Sequence, residues 1–160
     1  MKLEPLYDAG NGKGMRLDYF LKKYEDDLKD SRVFYIVKFN REPIFKVGIS
    51  GTKTGYGAGR LKQYLLESGI EDNLNPCVGT RVFYILKTKR TKGVASRDSY
   101  IMKLEDYVKK ELDKRNLIAR GSERTIASLD TIKAIINSFG GKDEPTIFRR
   151  SERVKQLNFI

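Results

Sequence analysis

Histidine and tryptophan are absent from this chain, and cysteine occurs once, at Cys77. Without histidine there is no Ser-His or Cys-His nucleophile pair, no imidazole general base, and no zinc site of the common Cys/His kinds. A single thiol permits no internal disulfide. No apolar run approaches the ~20 residues of a membrane-spanning helix, and the opening MKLEPLYDAG lacks the hydrophobic segment of a signal peptide. We therefore expect an intracellular protein, not secreted and with no membrane partner, whose chemistry falls to Tyr, Lys, Arg and carboxylates.

Positive charge, by contrast, is plentiful and unevenly spread. The 160 residues, one domain's worth of chain, carry a formal charge of +11. Residues 31–100 hold 13 basic and 5 acidic side chains, whereas residues 1–30 hold 6 and 7. Lys87, Lys89, Arg90, Lys92 and Arg97 fall in one window without an acid, a local potential suited to phosphates. A solvated basic loop is the plainer reading of such a run. In a chain this basic a polyanion is the better expectation, DNA ahead of RNA, with Lys53 and Lys62 as further phosphate contacts.

The most informative stretch is VFYIVKFNREPIFKVGISGTKTGYGAGRLKQY, from Val33 to Tyr64. Val33–Val37 and Ile44–Ile49 are rich in β-branched and aromatic residues, and the Asn and Pro between them favour a hairpin. Tyr35 and Lys46 stand out because an apolar strand has no packing use for a phenol or an ammonium. After a loop containing Gly51, Gly55, Gly57 and Gly59, Arg60 and Tyr64 stand four apart, the spacing of one helix face. Tyr35, Lys46, Arg60 and Tyr64 are thus expected to converge on one side of the sheet. The segment GISGTKTG lacks the Gly-Lys-Ser/Thr of a phosphate loop.

Elsewhere, residues 15–30 carry Leu17, Phe20, Leu21, Tyr24 and Leu28 at helical spacing. Arg81–Lys89, RVFYILKTK, predicts a third strand. Ile101, Leu104, Val108 and Leu112 predict a helix over 99–115, with Glu105 and Glu111 on opposite borders of its apolar stripe and nothing in the periodicity to choose between them. Ser128 is expected to cap a helix ending near Phe139. The expected architecture is α+β: a small three-stranded antiparallel sheet flanked by helices, with terminal arms. Residues 1–31 form an N-terminal arm and amphipathic helix, 32–139 the folded domain, and 140–160 a basic and apolar tail. Residues 1–14 and 145–160 are expected to be dispensable for the sheet and available for protein assembly.

The motif order resembles that of the GIY-YIG endonuclease family over about residues 32–137. VFYI places Tyr35 at the first motif's tyrosine, Lys46-Val47-Gly48 stands where Tyr-Ile-Gly is usual, RLKQY supplies Arg60 and Tyr64, and EDYVKKEL begins with Glu105. Val33-Phe34 replaces the opening Gly-Ile, and Lys46 replaces the second tyrosine. The resemblance implies a metal-dependent endonuclease that hydrolyses phosphodiester bonds. Glu105 would hold Mg²⁺ or Mn²⁺, Arg60 would stabilise charge on the phosphate, and Tyr64 would orient phosphate or water. Tyr35 would accept the water's proton, as a phenolate favoured by Lys46 or through a relay. The competing expectation is a non-catalytic protein on the same fold, either a nucleic-acid-binding module or a structural part of an assembly such as a minor capsid component of a virion.

Overall fold

The apolar run VFYIV lies within strand β3 (Ser31–Lys38), of which every residue but the last is buried. Such a run without polar alternation suits a strand covered on both faces, and that is its environment. Val33, Tyr35 and Val37 pack with helices α1 (Leu17–Tyr24) and α2 (Gly59–Ser68). Phe34 and Ile36 face the opposite layer, α3 (Tyr100–Lys114) and α4 (Leu129–Phe139). The computed structural model describes residues 3–10, 12–39, 44–68, 79–118 and 123–139. The turn expected between the first two strands, Cys77 and the tail from 140 lie outside them.

On either side of β3 run β4 (Phe45–Ser50) and β5 (Arg81–Lys89), both antiparallel, so the three strands read from the sequence are present. The sheet they belong to is nevertheless six-stranded, which corrects the expected small three-stranded one. Short strands β1 (Tyr7–Asp8) and β2 (Met15–Arg16) pair with the outer side of β5, and β6 (Arg124–Thr125) pairs with β4. The strand path is β1-β5-β3-β4-β6, with β2 also on β5.

The N-terminal residues expected to form a dispensable arm are therefore part of the sheet. The Leu6 and Ala9 amides donate to the carbonyls of Ile85 and Phe83 at 2.8 and 2.9 Å. The Tyr7 ring meets Phe20 and Tyr24 at 5.8 and 6.1 Å between centres, and Asp8 pairs with Lys133 of α4 at 2.9 Å. Deleting residues 1–9 should accordingly cost about 3 kcal/mol from lost hydrogen bonds and aromatic packing, or a fall of about 6–12 °C in Tm. Thermal unfolding followed by circular dichroism measures this; an unchanged midpoint would mean that β1 adds nothing.

Helix α1 is shorter than its apolar spacing predicts. Residues 15–16 are taken by β2, and Glu25–Leu28 tighten into a 3₁₀ turn that still buries Leu28. Three consecutive acids at the C-terminal end, Glu25-Asp26-Asp27, oppose the helix dipole and favour that ending. Helix α3 begins as predicted, with the Ser99 hydroxyl accepting from the Met102 amide at 3.3 Å. Ile101, Leu104, Val108 and Leu112 are all fully buried.

Candidate active site

Tyr35 occupies the middle of the central strand, directly across from Gly48 on β4. Its ring passes over that glycine: a Cβ at position 48 would stand 3.0 Å from the ring's Cε1 and closer still to its outer atoms. Gly48 is not in the left-handed region, so room for the phenol, rather than backbone freedom, is what the glycine provides. Beyond it, the Tyr35 and Tyr64 hydroxyls are 2.7 Å apart. Tyr64 arrives on the inward face of α2, with its ring edge-on to Tyr35 and, at 5.4 Å, to Phe39. Both tyrosines are buried, at 2% and 5% exposure.

Lys46 shares this face of the sheet. Its ammonium lies 5.4 Å from the centre of the Tyr64 ring and 6.0 Å from that of Phe39, a cation held over aromatic faces. The expectation that it turns Tyr35 into a phenolate is overturned. Burial drives the Tyr35 phenol far above its ordinary value of 10.0, and the Tyr64 neighbour adds to the rise. Arg60 is the cation that pulls the other way, while the negative charge of Glu123 reinforces the rise. Tyr35 is therefore neutral throughout the physiological range.

Arg60 lies in the first turn of α2, where its amide donates to the Ser50 hydroxyl at 3.0 Å. Its guanidinium is exposed and donates to Gln63 Oε1 at 3.1 Å. Four residues apart on α2, Tyr64 is buried and Arg60 is exposed. Arg60 still bears electrostatically on the Tyr35 phenol.

Glu105 belongs to α3, on the other side of the sheet. Its side chain is 14% exposed and sits 3.4 Å from Lys109, whose ammonium is 2.9 Å from Glu123. Burial raises the Glu105 carboxyl above its ordinary 4.5; Lys109 opposes the rise and Glu123 adds to it. Glu111, the alternative glutamate, pairs instead along its own helix with Lys114 at 3.1 Å. Glu123 immediately precedes β6, and its carbonyl accepts from the Val47 amide at 3.3 Å. Its charge adds to the rise of both the Tyr35 phenol and the Glu105 carboxyl.

Glu123 and Lys109 were not singled out by sequence reasoning. The spacing of Glu105 and Lys109 is that of a helix ion pair, a signal available in the sequence. Nothing local marks Glu123, whose position depends on β6 finding the edge of β4.

The basic residues divide into two groups. Lys62 is committed to Glu25 at 2.8 Å, Lys87 donates to the Asp27 carbonyl at 2.7 Å, and Arg90 to the Thr54 carbonyl at 3.3 Å. Lys53, Lys89, Lys92 and Arg97 are exposed. They gather at one end of the sheet, because the loop after β4 and the loop after β5 are drawn together there. The buried Arg32 does part of this, with Nε donating to the Thr52 carbonyl at 3.1 Å and Nη2 to the Val94 carbonyl at 2.8 Å. Arg60 follows directly on the first of these loops.

Among the described residues no three His, Cys, Asp or Glu side chains cluster as metal ligands. A hydrated Mg²⁺ or Mn²⁺ needs fewer: one or two carboxylates and its own waters suffice. Glu105 and Glu123 are hard-oxygen donors that both approach the Lys109 ammonium, the group an ion held between them would displace. No helix among the described residues is long and apolar enough to cross a membrane. No family model, curated protein or solved structure matches this chain.

Proposed function

We propose that the protein is a metal-assisted phosphodiesterase acting on nucleic acid, with its site at the outer edge of β4. One observation carries the reading. The Tyr35–Tyr64 hydroxyl pair, on which Arg60 bears, and the Glu105–Lys109–Glu123 cluster lie on the two sides of the sheet at β4, and Glu123 acts on both the Tyr35 phenol and the Glu105 carboxyl.

In this reading Arg60 holds the scissile phosphate through its planar donor fork. The exposed Lys53, Lys89, Lys92 and Arg97 keep the flanking backbone at the adjoining end of the sheet. Hydrolysis joins a water oxygen to phosphorus, breaks the phosphorus–oxygen ester bond and returns a proton to the leaving oxygen. Because the Tyr35 phenol is neutral, the attacking water loses its proton through a relay: one hydroxyl of the Tyr35–Tyr64 pair accepts it while handing its own on toward the leaving oxygen. A divalent cation held by Glu105, with Glu123 beside it, would neutralise charge at the leaving oxygen.

A binding module without chemistry is the second reading, favoured by the depth of the tyrosine pair and by the Lys109 ammonium already seated on Glu105. Labelled single- and double-stranded DNA and RNA, incubated with Mg²⁺ or Mn²⁺, separate the two. Metal-dependent products that vanish with chelator are expected. Salt-sensitive binding without any product would leave the binding module alone standing.

A further inference from the structure

The edge of the sheet remote from β4 carries a groove that none of this chemistry uses. It lies between α1 and the N-terminal strands, has a volume of about 660 Å³, and is lined by Tyr7, Met15, Tyr19 and four cations, Arg16, Lys22, Lys23 and Arg81, with no carboxylate. The acids nearest in sequence are occupied: Asp18 by Arg16 at 2.8 Å and Asp8 by Lys133 at 2.9 Å. Tyr19 is 59% exposed, unusual for a large aromatic ring. Its ring is backed by the Arg16 guanidinium, 5.1 Å from the ring centre. A largely exposed ring held against a cation offers a surface on which a base can stack.

We propose that this groove binds single-stranded nucleic acid, an unpaired base stacking on Tyr19 while Lys22, Lys23 and Arg81 hold the adjoining phosphates. Charge selects a polyanion: of the four cations that line the groove Arg16 is paired with Asp18, while Lys22, Lys23 and Arg81 meet no carboxylate in its lining. The exposed ring selects an unpaired base, because stacking on an aromatic side chain needs a free base face, which a duplex does not offer. Arg81 is fixed for the task, with its Nε and Nη2 donating to the carbonyls of Lys13 and Gly14 at 2.8 and 3.2 Å. The proposal shares with the preceding reading only the nature of the partner, and it does not rest on cleavage.

Fluorescence anisotropy with a labelled oligothymidine of about twelve nucleotides, a length within the reach of single-strand sites, tests it in a Glu105→Gln background so that no cutting intervenes. Tyr19→Ala should weaken binding on the order of ten- to a hundredfold. Tyr19→Trp should retain it, Lys22→Ala with Lys23→Ala should flatten its salt dependence, and binding to duplex of the same length should stay within about twofold of the parent in the Tyr19 variants. Tyr19 is exposed, so its loss leaves the core intact, and circular dichroism checks this. Unchanged oligothymidine affinity in Tyr19→Ala overturns the proposal, as does an equal loss on duplex, or competition by polyglutamate as effective as by oligothymidine. Cleavage by the wild-type protein alongside a silent Tyr19 sinks this proposal alone. Tyr19-dependent binding by a wild-type protein that cuts nothing sinks only the phosphodiesterase.

Discussion

Glu105→Gln is expected to give a protein that folds, binds nucleic acid and no longer cuts it, its cleavage rate reduced on the order of 10²–10³ or more by loss of charge stabilisation in the transition state. The same change should make the fold more stable at neutral pH. The wild-type carboxyl is raised above its ordinary 4.5 chiefly by burial, so the folded chain holds its proton more tightly than the unfolded chain does. Stability from this group is then complete at pH values below 4.5 and declines as the pH climbs through the interval up to the raised value. Glutamine has no proton to lose. Its midpoint should match the wild type near pH 4 and exceed it near pH 7, with Lys109 still paired to Glu123. Activity lost together with stability gained marks a residue kept for function; a Glu105→Gln protein that melts lower at pH 7 would make the carboxylate a structural partner of Lys109.

Gly48→Ala is expected to produce the second large effect. The added methyl would meet the Tyr35 ring, which has nowhere to retreat. It lies in the core, its hydroxyl is bonded to Tyr64, and Tyr64 is braced by Phe39. Overpacking of this kind costs about 1–3 kcal/mol, and the hydroxyl pair would be displaced, so cleavage should fall as well. Adding Tyr35→Val frees the space. The double variant should recover much of the stability of Gly48→Ala without recovering activity, a coupling that a double-mutant cycle reads directly. Additive effects of the two changes would show that the ring and the glycine do not meet.

What was legible in the sequence followed the length and apolar content of each element. Strands β3 and β5 announce themselves because both of their faces are covered and they read as unbroken apolar runs. Helix α3 does so because one stripe of Ile101, Leu104, Val108 and Leu112 faces the sheet. The two-residue strands β1, β2 and β6 leave no such trace. Two residues cannot show alternation, and the free edges of β5 and β4 determine where they pair. Missing β6 also meant missing Glu123, the group that connects the two sides of the site. Residue type alone was equally insufficient for Tyr35 and Lys46. A lysine near a tyrosine implies an acidified phenol only where the ring meets water, whereas here burial outweighs any cation and the lysine lies over the Tyr64 ring.

Cleavage carried out in ¹⁸O-labelled water, with Mg²⁺ or Mn²⁺ and with wild-type and Glu105→Gln proteins prepared in parallel, tests the central claim most directly. The account predicts that the new terminal phosphate formed at each wild-type cut carries one ¹⁸O atom, and that neither product nor label appears with Glu105→Gln or with chelator. Product formed equally by both proteins, unlabelled product, or no product from the wild type would contradict it.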